Sequence, residues 1–138
     1  MRLYLDASAI IYAIEGASAV KQASLDQLRA VQSSPTGIAL TSVLSKLECR
    51  TKPLAQNNSS LLLEYDRFFL SPSLQTLDIL PQTVEQATIL RARYRLKSMD
   101  ALHIATALEA QCDIFLTGDV ALARCQELKI ILLRPSDR

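Results

Sequence analysis

Apolar positions in this chain come as short runs separated by longer stretches of helical period. Leu3-Tyr4-Leu5 is a three-residue apolar run ending at Asp6, the pattern of a buried strand. Ala7 to Ala13 reads as a short helix broken at Gly16, and Ala19 to Val31 as a second, with Leu25 and Leu28 as core contacts. Ser33-Ser34-Pro35-Thr36-Gly37 is a turn cluster, and Ile38-Ala39-Leu40 a second strand. Thr41 or Ser42 caps a helix that runs to about Thr51 and is stopped by Pro53. Asn57 to Leu70 is helical, with Leu61, Leu62, Tyr65, Phe68 and Phe69 on its apolar side. After the turn Ser71-Pro72-Ser73 come a strand over Leu77 to Leu80 and a helix from Pro81 to about Tyr94. A further helix spans about Met99 to Ala110, with Ser98 and Asp100 both suited to its start. Asp113 to Leu116 is a strand ending in Thr117-Gly118-Asp119. A last helix over Val120 to Leu128 and a strand over Ile130 to Leu133 complete the pattern.

Short apolar strands alternating with helices, with no Asn-Gly hairpin signal, predict an α/β domain. Its sheet is parallel and covered on both faces. The length of 138 residues suits one domain over 1–138, and no repeat or linker divides it. Arg2 followed by apolar residues mimics a signal peptide, but Asp6 interrupts the run and Glu15 ends it, so a strand and a helix are expected there. No stretch approaches the roughly 18–20 apolar residues of a membrane span. Cys49, Cys112 and Cys125 are odd in number and form no CxxC pair, which predicts buried thiols in a reducing cytoplasm rather than disulfides or zinc. The formal charge of +1 provides no global field for nucleic acid, so any such affinity must come from a local patch.

Parallel topology gathers chemistry. The carboxyl ends of all strands lie on one edge, where the following helices begin. Asp6 ends the first strand, Asp119 follows the fourth, Asp100 opens a helix, and Glu48 lies about two turns into the helix after the second strand. Asp6, Asp100 and Asp119 each also suit a helix cap, and Ser45-Lys46-Leu47-Glu48 matches a capping box, although its helix starts earlier. Four of the 14 acidic residues, from separate elements, are nevertheless expected on one rim. Two carboxylates about 4 Å apart repel by roughly 4 kcal/mol at an effective dielectric of about 20. Raised pKa values or a bound cation relieve that repulsion. An all-oxygen donor set suits Mg²⁺ or Mn²⁺. Magnesium keeps several waters, which become nucleophiles for phosphodiester hydrolysis. Ser8 and Thr117 are candidates to orient the carboxylates or water from behind, and His103, one turn after Asp100, is a candidate general acid or such a partner, with a packed, hydrogen-bonded core histidine as the commoner role.

These residues resemble the PIN-domain family (PilT N-terminus-like nucleases), and more narrowly the small ribonuclease toxins of VapC type. The likeness covers nearly the whole chain. It rests on Tyr4-Leu5-Asp6-Ala7-Ser8, Ser45-Lys46-Leu47-Glu48, Met99-Asp100-Ala101-Leu102-His103-Ile104-Ala105-Thr106-Ala107 and Phe115-Leu116-Thr117-Gly118-Asp119, in that order. It implies a three-layer α/β/α domain with a five-stranded parallel sheet. It also implies Mg²⁺- or Mn²⁺-dependent endonucleolytic cleavage of RNA by Asp6, Glu48, Asp100 and Asp119, a homodimer and a cognate antitoxin. One departure is Gly118, where many relatives carry a polar or basic side chain.

Arg91, Arg93, Arg95 and Lys97 precede the Asp100 helix and could track RNA phosphates, as could Arg50 two residues after Glu48. The same cations also suit a solvated helix end. A non-catalytic RNA-binding or regulatory module on the same fold is the alternative; a repulsive acidic cluster would serve it no purpose. An aspartyl-phosphate phosphatase would want a second Asp where Ser8 stands, and a receiver domain would want paired acids after the first strand.

Overall fold

The computed structural model describes residues 1–134. Five strands form one parallel sheet: β1 (Arg2–Leu5), β2 (Ile38–Ser42), β3 (Leu74–Leu77), β4 (Ile114–Thr117) and β5 (Lys129–Leu132), in the order β3-β2-β1-β4-β5. Six α-helices connect them: α1 (Ala7–Glu15), α2 (Ser18–Gln32), α3 (Val43–Ala55), α4 (Ser59–Leu70), α5 (Pro81–Tyr94) and α6 (Ser98–Glu109).

The period of two along each strand splits the core into two layers. Leu3, Leu5, Ala39, Leu74, Ile114 and Leu116 pack with α1 to α4 on one face. Tyr4, Leu40 and Phe115 pack with α5 and α6 on the other. Handedness explains this division. The chain moves outward from β1 to β2 to β3, then reverses past β1 to reach β4. Right-handed crossovers put helices of the outward leg on one face and those of the return leg on the other.

Local signals located most elements, and pairing and chain length reset several ends. β3 lies three residues earlier than the apolar run Leu77 to Leu80. The turn before it closes tightly (Leu74 N–H to Ser71 C=O, 3.1 Å), so pairing with β2 begins at Leu74. Leu80 is instead the extended residue that leads into Pro81. Pro53 does not stop α3, which runs through it to Ala55. A proline in the last turn loses its own N–H bond and crowds the carbonyl one turn back, but little helix lies beyond it to be disrupted, and Asn57 closes the segment in the left-handed region (φ 53°). The expected last helix shrinks to a 3₁₀ segment, Val120–Arg124. Residues 118–128 must carry the chain from the end of β4 back to the start of β5, which leaves no room for a longer helix. All three cysteines are free and buried. No helix among the described residues is long and apolar enough to cross a membrane.

Phe115 is fully buried at the sheet centre and stacks on Tyr4, with centroids 5.2 Å apart. Phe115→Ala is expected to lower the unfolding free energy by about 3–5 kcal/mol in urea denaturation. Leu70→Ala, on a side chain 82% exposed, should change it by no more than about 0.5 kcal/mol.

Candidate active site

The reversal of strand order at β1 opens a crevice beyond the carboxyl ends of β1 and β4. Asp6 sits at its floor, with its backbone N–H bonded to Leu116 C=O of β4 (3.2 Å). Its side chain is 4% exposed, and both oxygens are engaged. Oδ1 accepts from Ser8 Oγ–H (2.6 Å) and from Ala9 N–H (3.0 Å), so Asp6 is the N-cap of α1. Oδ2 accepts from Thr117 Oγ1–H (2.5 Å). The same two hydroxyls tie down the β4 loop. Ser8 Oγ accepts from Gly118 N–H (2.8 Å), and Thr117 Oγ1 from Asp119 N–H (3.0 Å). Asp119 in turn caps the 3₁₀ segment through Ala121 N–H (2.9 Å). Asp6 and Asp119 thus cap helices while lining the crevice.

The other two acids are not caps. Glu48 is on the second turn of α3, whose N-cap is Ser42, so Ser45-Lys46-Leu47-Glu48 is no capping box. One Glu48 oxygen, Oε1, lies 2.6 Å from His103 Nε2. His103 is 1% exposed, and its Nδ1 lies 2.7 Å from the Tyr4 hydroxyl. Burial keeps the Tyr4 phenol protonated far above its ordinary range. Asp100 is the third residue of α6, which starts one residue before Met99 and has Lys97 as its N-cap. It favours the positive end of that helix without closing it.

Asp6, Glu48, Asp100 and Asp119 line one cavity of about 410 Å³, together with Ser8, Lys97 and His103. Burial, and then the charges of Asp119 and Asp6, push the Asp100 carboxyl up to about 6. Burial also raises Asp6, against the opposing pull of its hydroxyl donors. This is how carboxylates behave when too few cations face them. Among the described residues, however, no group of three or more His, Cys, Asp or Glu side chains stands in metal-holding geometry. The acids surround a space rather than a point. Their all-oxygen donor set suits a hydrated Mg²⁺ or Mn²⁺, which needs few direct protein ligands.

The basic candidates scatter. Lys97 lines the acidic cavity. Arg91 and Arg95 line a separate apolar groove of about 670 Å³ between α5 and α6, which meets the acidic cavity at Ser98. Arg93 is paired with Glu127 (2.5 Å), and Arg50 with Asp66 of α4 (3.3 Å). Neither lines the crevice.

Two tyrosines near the site are not among its candidate residues, although Tyr4 opens the motif Tyr4-Leu5-Asp6-Ala7-Ser8. Tyr4 precedes Asp6 by two, on the strand face that meets α6. Tyr12 follows Ser8 by one helical turn, a spacing that puts both on one side of α1. A Cβ at position 118 would lie 2.3 Å from Tyr12 Cε2. Gly118 is therefore the place where Tyr12 packs against the loop, and the ring fills the space that a side chain at 118 would need.

Comparison with known proteins agrees with this architecture. The family model for the PIN domain matches residues 3–128. VapBC2 from Rickettsia felis, solved with a promoter DNA fragment, superposes with a TM-score of 0.78 at 14% identity, covering 96% of this chain and 98% of that one. A toxin–antitoxin complex from Klebsiella pneumoniae gives 0.70 at 19%, covering 94% and 95%. Mycobacterium tuberculosis VapC20, a sarcin–ricin-loop-cleaving toxin, gives 0.69 at 18%, covering 92% and 98%. At such identities these likenesses establish the fold alone. Among curated proteins nothing matches the chain. With the family model spanning nearly its whole length, the chain belongs to the PIN domain family.

Proposed function

We propose that this protein is a Mg²⁺- or Mn²⁺-dependent endoribonuclease, the toxin of a type II toxin–antitoxin pair. The observation that carries the reading is the convergence of Asp6, Glu48, Asp100 and Asp119, from four separate elements, on one cavity in which Asp100 is pushed up to about 6. PIN-domain nucleases generally use divalent ions, and several structural neighbours are toxins or toxin–antitoxin complexes.

In this reading Asp6, Asp100 and Asp119 would hold the ion, and Glu48 would hold it or take a proton from the attacking water. A bound divalent ion would shield the phosphate charge and make water a better nucleophile. Ser8 and Thr117 aim Asp6 and favour its charged form by donating to it, against the larger effect of burial. Lys97 meets the phosphate at the cavity mouth, and the strand continues past Ser98 along Arg91 and Arg95. Arg50 and Arg93 are spent on acidic partners and have no part in this path. Leu47 and Leu54 of α3 and Leu63 and Leu70 of α4 are exposed, which supports a face covered by an antitoxin or a second copy. Tyr65 and Phe69 of α4 point into the core instead.

The open arrangement of the acids is the one observation that favours a non-catalytic RNA-binding module. Calorimetric titration separates the readings: Mn²⁺ binding at millimolar concentration or tighter supports the nuclease, and none supports the module. Asp100→Asn is expected to abolish Mn²⁺-dependent cleavage of RNA while circular dichroism and melting show a folded protein. Unchanged cleavage by that variant would sink the assignment.

The electrostatic strain is measurable without substrate. A carboxyl near 6 in the folded state and near its ordinary value in the unfolded state leaves the folded state with more protons between about pH 4 and 6, so stability falls as pH rises through that window. Asp100→Asn removes this loss. Relative to the parent, the variant should gain about 1–2 kcal/mol between pH 4 and 7 in metal-free buffer, allowing for screening at a half-buried site. A difference that stays flat with pH would show that the Asp100 carboxyl is not raised in the folded protein. For the substrate path, Lys97→Ala and Arg95→Ala should each weaken RNA binding across sequences and reduce the salt slope by about one. Arg93→Ala should leave both unchanged.

A further inference from the structure

His103 is more than a core histidine that happens to lie near the site. It is 1% exposed on α6, on one face of the sheet, yet its Nε2 reaches Glu48 of α3, whose helix packs on the other face. The bond bridges the two helical layers above the carboxyl edge of the sheet. Behind it, Tyr4 is fully buried at the sheet centre. The Tyr4 ring is stacked on Phe115 (5.2 Å, 13°) and meets the imidazole edge-on (5.8 Å, 68°). That stacking gives the phenol one orientation, with its hydroxyl 2.7 Å from His103 Nδ1.

Donor and acceptor chemistry fixes the rest. A carboxylate only accepts, so the 2.6 Å contact with Glu48 Oε1 requires a proton on Nε2. A neutral ring then leaves Nδ1 bare, ready to accept from a phenol O–H. Each atom in the row has one complementary role. Glu48, part-exposed with a long side chain, would otherwise sample several rotamers.

We infer that Tyr4 and His103 are positioning residues. Tyr4 holds His103 as the Nε2–H tautomer, and His103 holds Oε1 of Glu48, so that Oε2 alone is turned to the ion or the attacking water. The inference rests on the nuclease reading of the cavity and deepens it, because it makes Glu48 a one-oxygen participant with a set direction. Tyr4 never touches substrate. It acts through the histidine, as outer partners of metal-site ligands do.

His103 is the single histidine of the chain, so nitrogen-15 NMR of the metal-free protein shows one imidazole. The expected spectrum has a proton on Nε2 and a pyridine-like Nδ1. Tyr4→Phe, which keeps the ring and removes only the hydroxyl, should turn it into a mixture of tautomers. His103→Asn, too short to reach Glu48, should weaken Mn²⁺ binding (followed by paramagnetic resonance) by about tenfold or more and lower kcat with little change in KM. His103→Gln, whose amide reaches the place of Nε2, should restore most of both. A proton on Nδ1, or His103→Asn binding Mn²⁺ as tightly as the parent, overturns the inference alone. A parent protein that binds no Mn²⁺ overturns the nuclease reading with it. If His103→Asn does not fold, Tyr4→Phe decides: unchanged tautomer and unchanged Mn²⁺ affinity overturn the inference.

Discussion

A buried carboxylate at the end of the central strand is the constraint on which the site is built. Asp6 is almost entirely removed from water, and its charge has no cationic side chain bonded to it. It is held by two hydroxyls and one backbone N–H instead. Ser8 and Thr117, which make those bonds, also bind the backbone of the β4 loop. Satisfying Asp6 therefore fixes where Gly118 and Asp119 lie. One desolvated side chain sets the spacing between the two strand ends that form the crevice, through hydrogen bonds that an exposed carboxylate would not need.

The remaining acids are attached differently, and this gives the cavity two halves. Asp6 and Asp119 are fixed by capping bonds to backbone N–H groups. Glu48 and Asp100 project from helix sides, and neither is engaged as a cap. Glu48 is held by His103 instead, and the four carboxylates share a cavity while no three of the described acids stand in ligating geometry. The electrostatic cost differs as well. Asp6 has donors that offset part of its burial, whereas Asp100 feels burial and the charges of three neighbouring carboxylates, Asp119, Asp6 and Glu48.

Much of this was legible in the sequence, for a definite reason. Parallel strands fix which ends meet, so Asp6, Asp100 and Asp119 could be placed on one edge from the alternation of elements alone. Ser8 and Thr117 could be read as their neighbours from spacing. What stayed illegible depends on pairing or on contacts between distant elements. β3 began at Leu74 because the preceding turn closes there, and no local apolar pattern records that. Pro53 was overruled because it falls in the last turn of α3, where little helix remains to be disrupted. The basic run Arg91, Arg93, Arg95 and Lys97 looked like a unit, yet helix geometry sends its members to three surroundings: a groove, an ion pair and the acidic cavity. Gly118 stood out only as a departure from the family pattern; the packing of the Tyr12 ring against it joins two distant elements and left no local trace.

Tyr4 shows how core and site come to share residues. As a strand residue it belongs to the apolar layer, and its ring packs as any large core side chain does. Its hydroxyl, however, must find a partner, since burying it alone would cost free energy. The partner it finds is His103, whose second nitrogen then needs an acceptor, and Glu48 supplies it. Each polar atom thus hands its requirement to the next, from the sheet interior to the cavity wall. A core made only of Leu and Phe would have ended at the sheet. The polar handle on one aromatic carries the rigidity of the core out to Glu48 at the cavity wall.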